Sequence, residues 1–478
     1  MIKFGTGGWR AEIGRDFQMS NIQMIGQSLA ERIIELDEDN TPVVIGYDRR
    51  FLSENAAHWL AEVLAGNGIK VITMHRSVPT PLIMHIVKKH DYNYGVEVTA
   101  SHNPANYNGI KIIVKEGRDA PVSVTENLER RCCSLGNIRT VDFEEGRASG
   151  KIEFLEHPFN EFLDDIIGIL DVDAIRSKGP RILFDSMHGS SSYPFNVIFY
   201  TTRCTVDQIN ANKDAYFGGQ MPAPTAETLK PLAEQVVMGH YDLGMGIDGD
   251  GDRLGVIDSD GTFISANDIL VLLYYYLHEF KGWKGPVVRN LATTHLLDRV
   301  AEGLGEKCYE VPVGFKYISS KIDEVDAVLG GESSGGLTVR GHIHGKDSIY
   351  ASALFIEMIC KTGKAPGVMI RELKQKFGDR VMVEYNVPLS DHQKAKLVEL
   401  FEKGKKDQDA ADIHLPVFSQ KYNRVNYIDG CKVYFPDDSF VICRPSGTEP
   451  LLRVFAEAPE KEQAEGYIES WKKTLAEM

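Results

Sequence analysis

Three aspartates, Asp248, Asp250 and Asp252, alternate with glycine in the stretch GMGIDGDGDRLGVI, between two apolar runs. Carboxylates this close repel one another unless a cation or a basic group compensates them. Gly249 and Gly251 let the backbone curl so that alternate side chains converge. Oxygen donors of this kind suit a hard ion such as Mg²⁺. The competing reading is a solvated acidic turn, which has no need of such regular placement. A calcium EF-hand is excluded, because its sixth position would be Arg253 instead of glycine and its twelfth Ser259 instead of glutamate.

A nucleophile for such an ion is offered by EVTASHNPANYNGIK. Ser101 stands where an apparent strand runs into a loop of Asn, Pro and Gly, with His102 beside it and Lys111 just past a glycine turn. Alone, the serine reads as a turn or cap residue and the histidine as structural. Neighbours on an extended strand point to opposite faces, so the pair makes no dyad by itself.

Two further loops could hold an anionic, hydroxyl-rich ligand. In CRPSGTEPLLR, Arg444 and Arg453 offer forked donors, Ser446 and Thr448 add hydroxyls, and Gly447 lets backbone N–H groups turn inward as an anion nest. In LGGESSGGLTVRGHIHGKD, glycines surround Glu332, Ser333 and Ser334, and Glu332 can bridge neighbouring hydroxyls of a sugar. The run Gly331 to Gly335 also fits the nucleophile elbow of serine hydrolases. That elbow needs a helix after the serine, whereas GLTVRG is β-like.

Elements that position these loops alternate along the chain. TPVVIGYD reads as a strand, SENAAHWLAEVLAGNG as a helix and IKVITMH as a strand; similar units start at PRILFD and GPVVRN. Such repetition predicts mostly parallel sheets covered by helices. Polar stretches around 132–154, near 257 and at 360–367 read as connectors, giving four units: 1–150, 151–256, 257–370 and 371–478. A length of 478 residues agrees, since domains average about 150 residues.

A net charge of −15 argues against nucleic acid or an anionic membrane as partner, so an anionic substrate must be met by a locally positive site. Seven scattered cysteines without a C-x-x-C pair read as reduced thiols of a cytoplasmic protein. The N-terminus lacks a signal-peptide core, and the greasiest run, ILVLLYYYLHEF, is too short to span a bilayer and reads as a buried helix.

Taken together, FGTGGWR, TASHNP, DGDGDR, GESSGG and RPSGTEP resemble, in type and in order, the motifs of the α-D-phosphohexomutase family. The matches run from residue 4 to residue 450. The resemblance implies an α/β protein of four domains around a central cleft: three mixed or parallel α/β sandwiches and a smaller C-terminal α+β domain. It places Ser101 at the family's phosphorylated serine, with Asp248, Asp250 and Asp252 as Mg²⁺ ligands and a phosphoserine oxygen completing the set. Arg10 and Arg253 would face the transferring phosphoryl. Glu332 and Ser334 would grip sugar hydroxyls, and Arg444, Ser446, Gly447 and Thr448, with Arg453 nearby, the phosphate that is not transferred. Lys111 and Lys316 resemble lysines of related mutases.

The implied activity is interconversion of hexose 1-phosphate and 6-phosphate through hexose 1,6-bisphosphate, in a monomer or homodimer that takes a small sugar phosphate. Lys111, His102 and Lys316 all stand as candidates for the general base. GESSGG points to glucose first, with phosphomannomutase or phosphoglucosamine mutase as alternatives. Ser333, and HGKDS from His344 to Ser348, depart from common relatives beside the sugar loop. A serine-and-metal phosphatase, an esterase on Ser333 and a silent sugar-phosphate sensor are the competing classes.

Overall fold

The structure is a computed structural model and describes residues 2–5, 7–407, 409, 412, 414–446 and 451–478. Four sheets follow one another along the chain. The first is mixed. Its parallel strands Tyr94–Val98, Val43–Tyr47, Val71–Thr73 and Ile152–Phe154 are flanked by antiparallel Tyr107–Val114 and Gly8–Glu12. These strands are rich in Val, Ile and Tyr, and the central ones are buried throughout, as strands covered on both faces must be.

The second sheet joins parallel Thr205–Ile209, Arg181–Asp185 and Leu243–Ile247 to antiparallel Leu254–Asp258. In the third, Cys308–Val311, Val287–Asn290 and Leu329–Gly331 are parallel, and Leu337–Val339 returns antiparallel. The fourth is antiparallel from Val381–Pro388 to Arg424–Asn426, with helices Asp391–Lys406 and Lys461–Ala476. Three α/β units and a C-terminal α+β unit result, as the sequence implied. One continuous apolar core runs through the first three. The last has its own core around Trp471 and Tyr467, and meets the third through Leu291, Ala292, Phe440 and Ile442.

Connectors fall differently from the sequence reading. The stretch at 132–154 carries helix Phe143–Ala148, capped by Asp142, and the strand Ile152–Phe154, which hydrogen-bonds Val71–Thr73. The first sheet therefore extends beyond residue 150. A cut after 256 falls inside strand Leu254–Asp258, because the DSDG turn is a hairpin to Phe263–Ile264 within one sheet. A cut after 370 falls inside helix Pro366–Phe377. Polarity marked surface turns, and these sheets use several such turns internally. The apolar run after 268 is the buried helix Ala266–Glu279, and among the described residues no helix is long and apolar enough to cross a membrane.

Candidate active site

Strands Tyr94–Val98 and Leu243–Ile247 each release a loop at their C-terminal end, where ligand sites of α/β sheets form. The two loops meet. Ser101, fully buried, donates from Oγ to Asp248 Oδ2 at 3.2 Å. The serine is not on an extended strand: its φ is +53°, in the left-handed region, and its amide donates to Thr99 Oγ1 at 2.8 Å. This turn brings His102 Nδ1 to 3.4 Å from Ser101 Oγ, so the two side chains share a face that an extended chain would have denied them.

Arg50 holds that turn. Its guanidinium donates to four carbonyl oxygens: Ser101 and Asn103 at 2.6 Å, Pro104 at 2.9 Å and Tyr107 at 3.0 Å. It also lies over the Phe217 ring of the second unit at 4.7 Å. Asp48 anchors the network by accepting from Arg50 N, Ser53 Oγ and Thr99 Oγ1.

The acidic loop is clamped from three units. Thr80 N donates to Asp250 O, Ser190 N to Gly249 O, and Ser348 N to Gly251 O. Gly251 has φ +83°, and a Cβ there would stand 2.7 Å from Pro79. Asp248 Oδ1 accepts from the backbone of Asp252 and Arg253, which turns its other oxygen toward Ser101.

Charge balance separates the three acids. Lys111 Nζ lies 2.6 Å from Asp250 Oδ2 and 2.9 Å from Asp252 Oδ2, and Lys346 Nζ is 2.9 Å from Asp252 Oδ2. Against the effect of burial, Lys111, Lys346 and Arg253 hold Asp252 well below the usual carboxylate range. Burial and the charges of Asp250 and Asp252 push Asp248 well above it. Lys111 is held above the ordinary lysine value: burial opposes this, and Asp250 and Asp252 overcome it. In this arrangement it serves as a countercharge.

Carboxylate oxygens of Asp248, Asp250 and Asp252 lie within 4.8 Å of one another. In the same triad, Asp250 Oδ1 and Asp252 Oδ1 are buried with no hydrogen-bond partner. An orphaned acceptor of this kind costs about 1–3 kcal/mol, and more when charged. A cation coordinated there would relieve that cost, so the triad fits a metal ion.

Beside the triad is a positive corner. Arg10 donates to Asn103 Oδ1 at 2.5 Å, and burial together with the Arg253 charge lowers its pKa. Burial, Arg253 and Arg10 drive His102 well below the usual imidazole value, which leaves it neutral. Basic groups gathered this closely, next to a serine hydroxyl, suit an anion.

Glu332 and Ser334 are held within the third unit. Glu332 Oε1 accepts from Asn290 Nδ2 at 3.1 Å and from Gly314 N at 3.2 Å, and its Oε2 is 3.4 Å from Ser334 Oγ. After Ser333 the chain turns straight into strand Leu337–Val339, so no hydrolase elbow forms. Lys316 lines a small cavity with Lys111, Asp119 and Gly8, and burial lowers its pKa. In the last unit, Arg444 and Arg453 face each other across strands Phe440–Pro445 and Leu451–Ala458, and Ser446 N donates to Leu451 O at 2.8 Å. Gly447 and Thr448 lie outside the described residues.

The sequence reading missed Arg50, Thr80, Asp119 and Lys346. Lys346 was within reach, since HGKDS stood out as a departure beside the sugar loop. Arg50 follows an ordinary strand end, and its four acceptors arrive from a different stretch of chain.

Models of the phosphoglucomutase/phosphomannomutase α/β/α domains I, II and III match residues 1–137, 160–261 and 265–377, and the C-terminal domain model matches 384–472. The chain is 29% identical, over 99% of its length and 98% of the relative's, to a phosphoglucomutase/phosphomannomutase of Thermococcus kodakarensis. It is 28% identical, over 99% of its length and 98% of the relative's, to a Methanobrevibacter smithii protein named "Probable phosphoglucosamine mutase". A solved structure from Thermus thermophilus, named a "putative phosphomannomutase", superposes with a TM-score of 0.84 at 26% identity, covering 100% of this chain and 99% of that one.

Proposed function

Because the chain belongs to the phosphoglucomutase/phosphomannomutase family, whose members are isomerases working as intramolecular phosphotransferases, we propose that it interconverts hexose 1-phosphate and hexose 6-phosphate through a phosphoserine at Ser101. The observation that carries this reading is the contact of Ser101 Oγ with Asp248 at the edge of a buried triad of acids.

A phosphoryl group in transfer spreads negative charge over its oxygens, so catalysis is chiefly positioning and charge stabilisation. When bound by Asp248, Asp250 and Asp252, a divalent cation, Mg²⁺ in this reading, supplies positive charge next to Ser101. Arg10 and Arg253, in the positive corner beside the triad, add fixed positive charge. Arg50 keeps the Ser101 oxygen at one place through both half-reactions.

In the first half-reaction the phosphoryl leaves Ser101 for the free hydroxyl of the bound monophosphate, giving hexose 1,6-bisphosphate. The sugar then turns over, and its other phosphate returns to Ser101. The entering hydroxyl must lose a proton. His102 Nδ1 lies 3.4 Å from Ser101 Oγ, but the burial and the Arg253 and Arg10 charges that keep it neutral also oppose its taking a proton. Lys111 is engaged by two carboxylates, and Lys316 is the third candidate base. Glu332 and Ser334 would hold hydroxyls common to both orientations, and Arg444, Ser446 and Arg453 the distal phosphate.

Glucose is the preferred sugar in this reading, on the strength of GESSGG; mannose and glucosamine fit the names of the relatives equally well. The test supplies purified protein with Mg²⁺, a trace of hexose bisphosphate, and glucose, mannose or glucosamine 1-phosphate in parallel. Fastest 6-phosphate formation from glucose supports the full reading. Faster turnover of another sugar corrects the substrate, and phosphate release without isomer formation replaces the mutase by a phosphatase.

A further inference from the structure

One carboxylate oxygen of the fourth unit reaches both the third unit and an arginine of its own unit. Asp429 Oδ2 accepts the Val313 amide at 2.9 Å, and Arg444 Nε of the distal phosphate loop is also 2.9 Å from it. The next amide along the chain, Gly314 N, donates to Glu332 Oε1 at 3.2 Å. The proposed sugar-gripping carboxylate of the third unit and the phosphate-loop arginine of the fourth are thus linked through two adjacent peptide groups and Asp429. Gly430 keeps the turn tight: its φ is +84°, and a Cβ there would stand 2.7 Å from Arg444 Cγ.

The rest of the boundary between these units is held elsewhere. Lys432 Nζ bonds to Leu291 O and Glu310 Oε2, Asp438 pairs with His295 and Arg299, and the His295 amide donates to Glu457. Asp429 takes no part in that network or in the apolar contact of Leu291 with Phe440. Asp429 is therefore a tie on the ligand side of a boundary whose stability resides in other residues. It is half-buried, so its two contacts are strong enough to bias an opening and weak enough to be broken in each cycle.

We propose that Asp429 is a positioning residue that keeps the phosphate-binding unit shut over the sugar loop while hexose 1,6-bisphosphate turns over, and so limits escape of the intermediate. The proposal rests on the mutase reading above. A bisphosphate that must rotate between two half-reactions is held by phosphate contacts at one end only, and its retention then depends on how seldom the fourth unit swings away from Glu332. Removing a hydrogen bond to a charged acceptor raises the population of the open arrangement roughly tenfold.

The test uses full-length enzyme carrying phosphate on the active serine, wild type and Asp429→Ala, mixed with labelled glucose 1-phosphate; free bisphosphate and 6-phosphate are separated after quenching. The ratio of released bisphosphate to 6-phosphate is expected to rise roughly tenfold in the variant, with Asp429→Glu restoring much of the wild-type ratio. An unchanged ratio, or a loss of 6-phosphate formation without bisphosphate release, overturns the proposal. Hydrogen exchange gives a readout independent of turnover: in free enzyme the Val313 amide is expected to exchange roughly tenfold faster in Asp429→Ala, while helix Lys461–Ala476 stays as protected as before. Equal Val313 exchange in the two proteins overturns the tie itself. A wild-type enzyme that forms neither product from any hexose 1-phosphate would instead defeat the mutase reading, and the retention role with it, whatever the amide shows.

Discussion

Ser101 Oγ and Asp248 Oδ2 are 3.2 Å apart although 147 positions separate the two residues in the chain. Neither loop could hold its own charge or strain alone. A serine at φ +53° occupies a sparsely populated backbone region, and such positions persist where the surroundings over-determine them. Arg50, Thr99 and Asp48 supply that surrounding from the first unit, and the clamped acidic loop supplies it from the second.

Arg50→Lys tests whether positioning matters in its own right. A lysine carries the charge but cannot span four carbonyls in fixed directions. Turnover is expected to fall roughly 10- to 100-fold with KM changed by no more than about threefold, because the hydroxyl wanders while the sugar loop is untouched. Steady-state kinetics with the Ser101 phosphorylation level measured alongside check this. A raised KM at unchanged kcat would place Arg50 in substrate binding instead.

Asp250→Asn keeps the shape of the triad and removes one charge. The metal concentration giving half-maximal activity is expected to rise at least roughly tenfold. Titration of metal-stripped protein with Mg²⁺ reads it directly, and an unchanged midpoint would reduce the loop to a turn.

The buried Lys432 gives a pH signature at the boundary with the last unit. Burial lowers its pKa from 10.5 to about 8, only partly offset by Glu310. Below about pH 8 the fold carries a buried ammonium that the unfolded chain keeps in water, and this cost vanishes as pH rises toward 10.5. In that window the unfolded state binds more protons, so this residue makes stability increase with pH, by about 3 kcal/mol in all. Urea unfolding of wild type and Lys432→Met from pH 7 to pH 10.5 should show wild type gaining relative to the variant by roughly that amount. A constant difference would mean that the lysine is neutral or fully paired throughout.

Much of this was legible in the sequence because the chemistry sits in short, unusual strings. DGDGDR announced a convergent acid cluster, and GLTVRG announced a strand where a hydrolase elbow needs a helix, which weakened that reading before strand Leu337–Val339 excluded it. The connectors were misread because polarity reports exposure: Ile152–Phe154 is a short edge strand inside a polar stretch. Other features lay beyond any local pattern. The left-handed turn at Ser101 depends on Arg50 from another segment, and Lys346 reaches the acid triad only because the third unit lays it on Asp252. Asp429 joins Val313 and Arg444 through a contact no spacing rule predicts.

Ser101→Ala is expected to abolish turnover, by roughly a thousandfold or more, since no other group takes over a covalent phosphoryl. Its unfolding free energy should stay within about 1–2 kcal/mol of wild type, the worth of one buried hydroxyl bond. Residual turnover near wild type would exclude the serine as carrier.

The most direct measurement is the site of phosphate on the enzyme itself. Protein incubated with hexose 1,6-bisphosphate and Mg²⁺, then digested and sequenced by mass spectrometry, should carry a single phosphate on Ser101, which is lost on adding excess hexose monophosphate. Phosphate on another residue, or none on a protein that still forms 6-phosphate, would contradict the account.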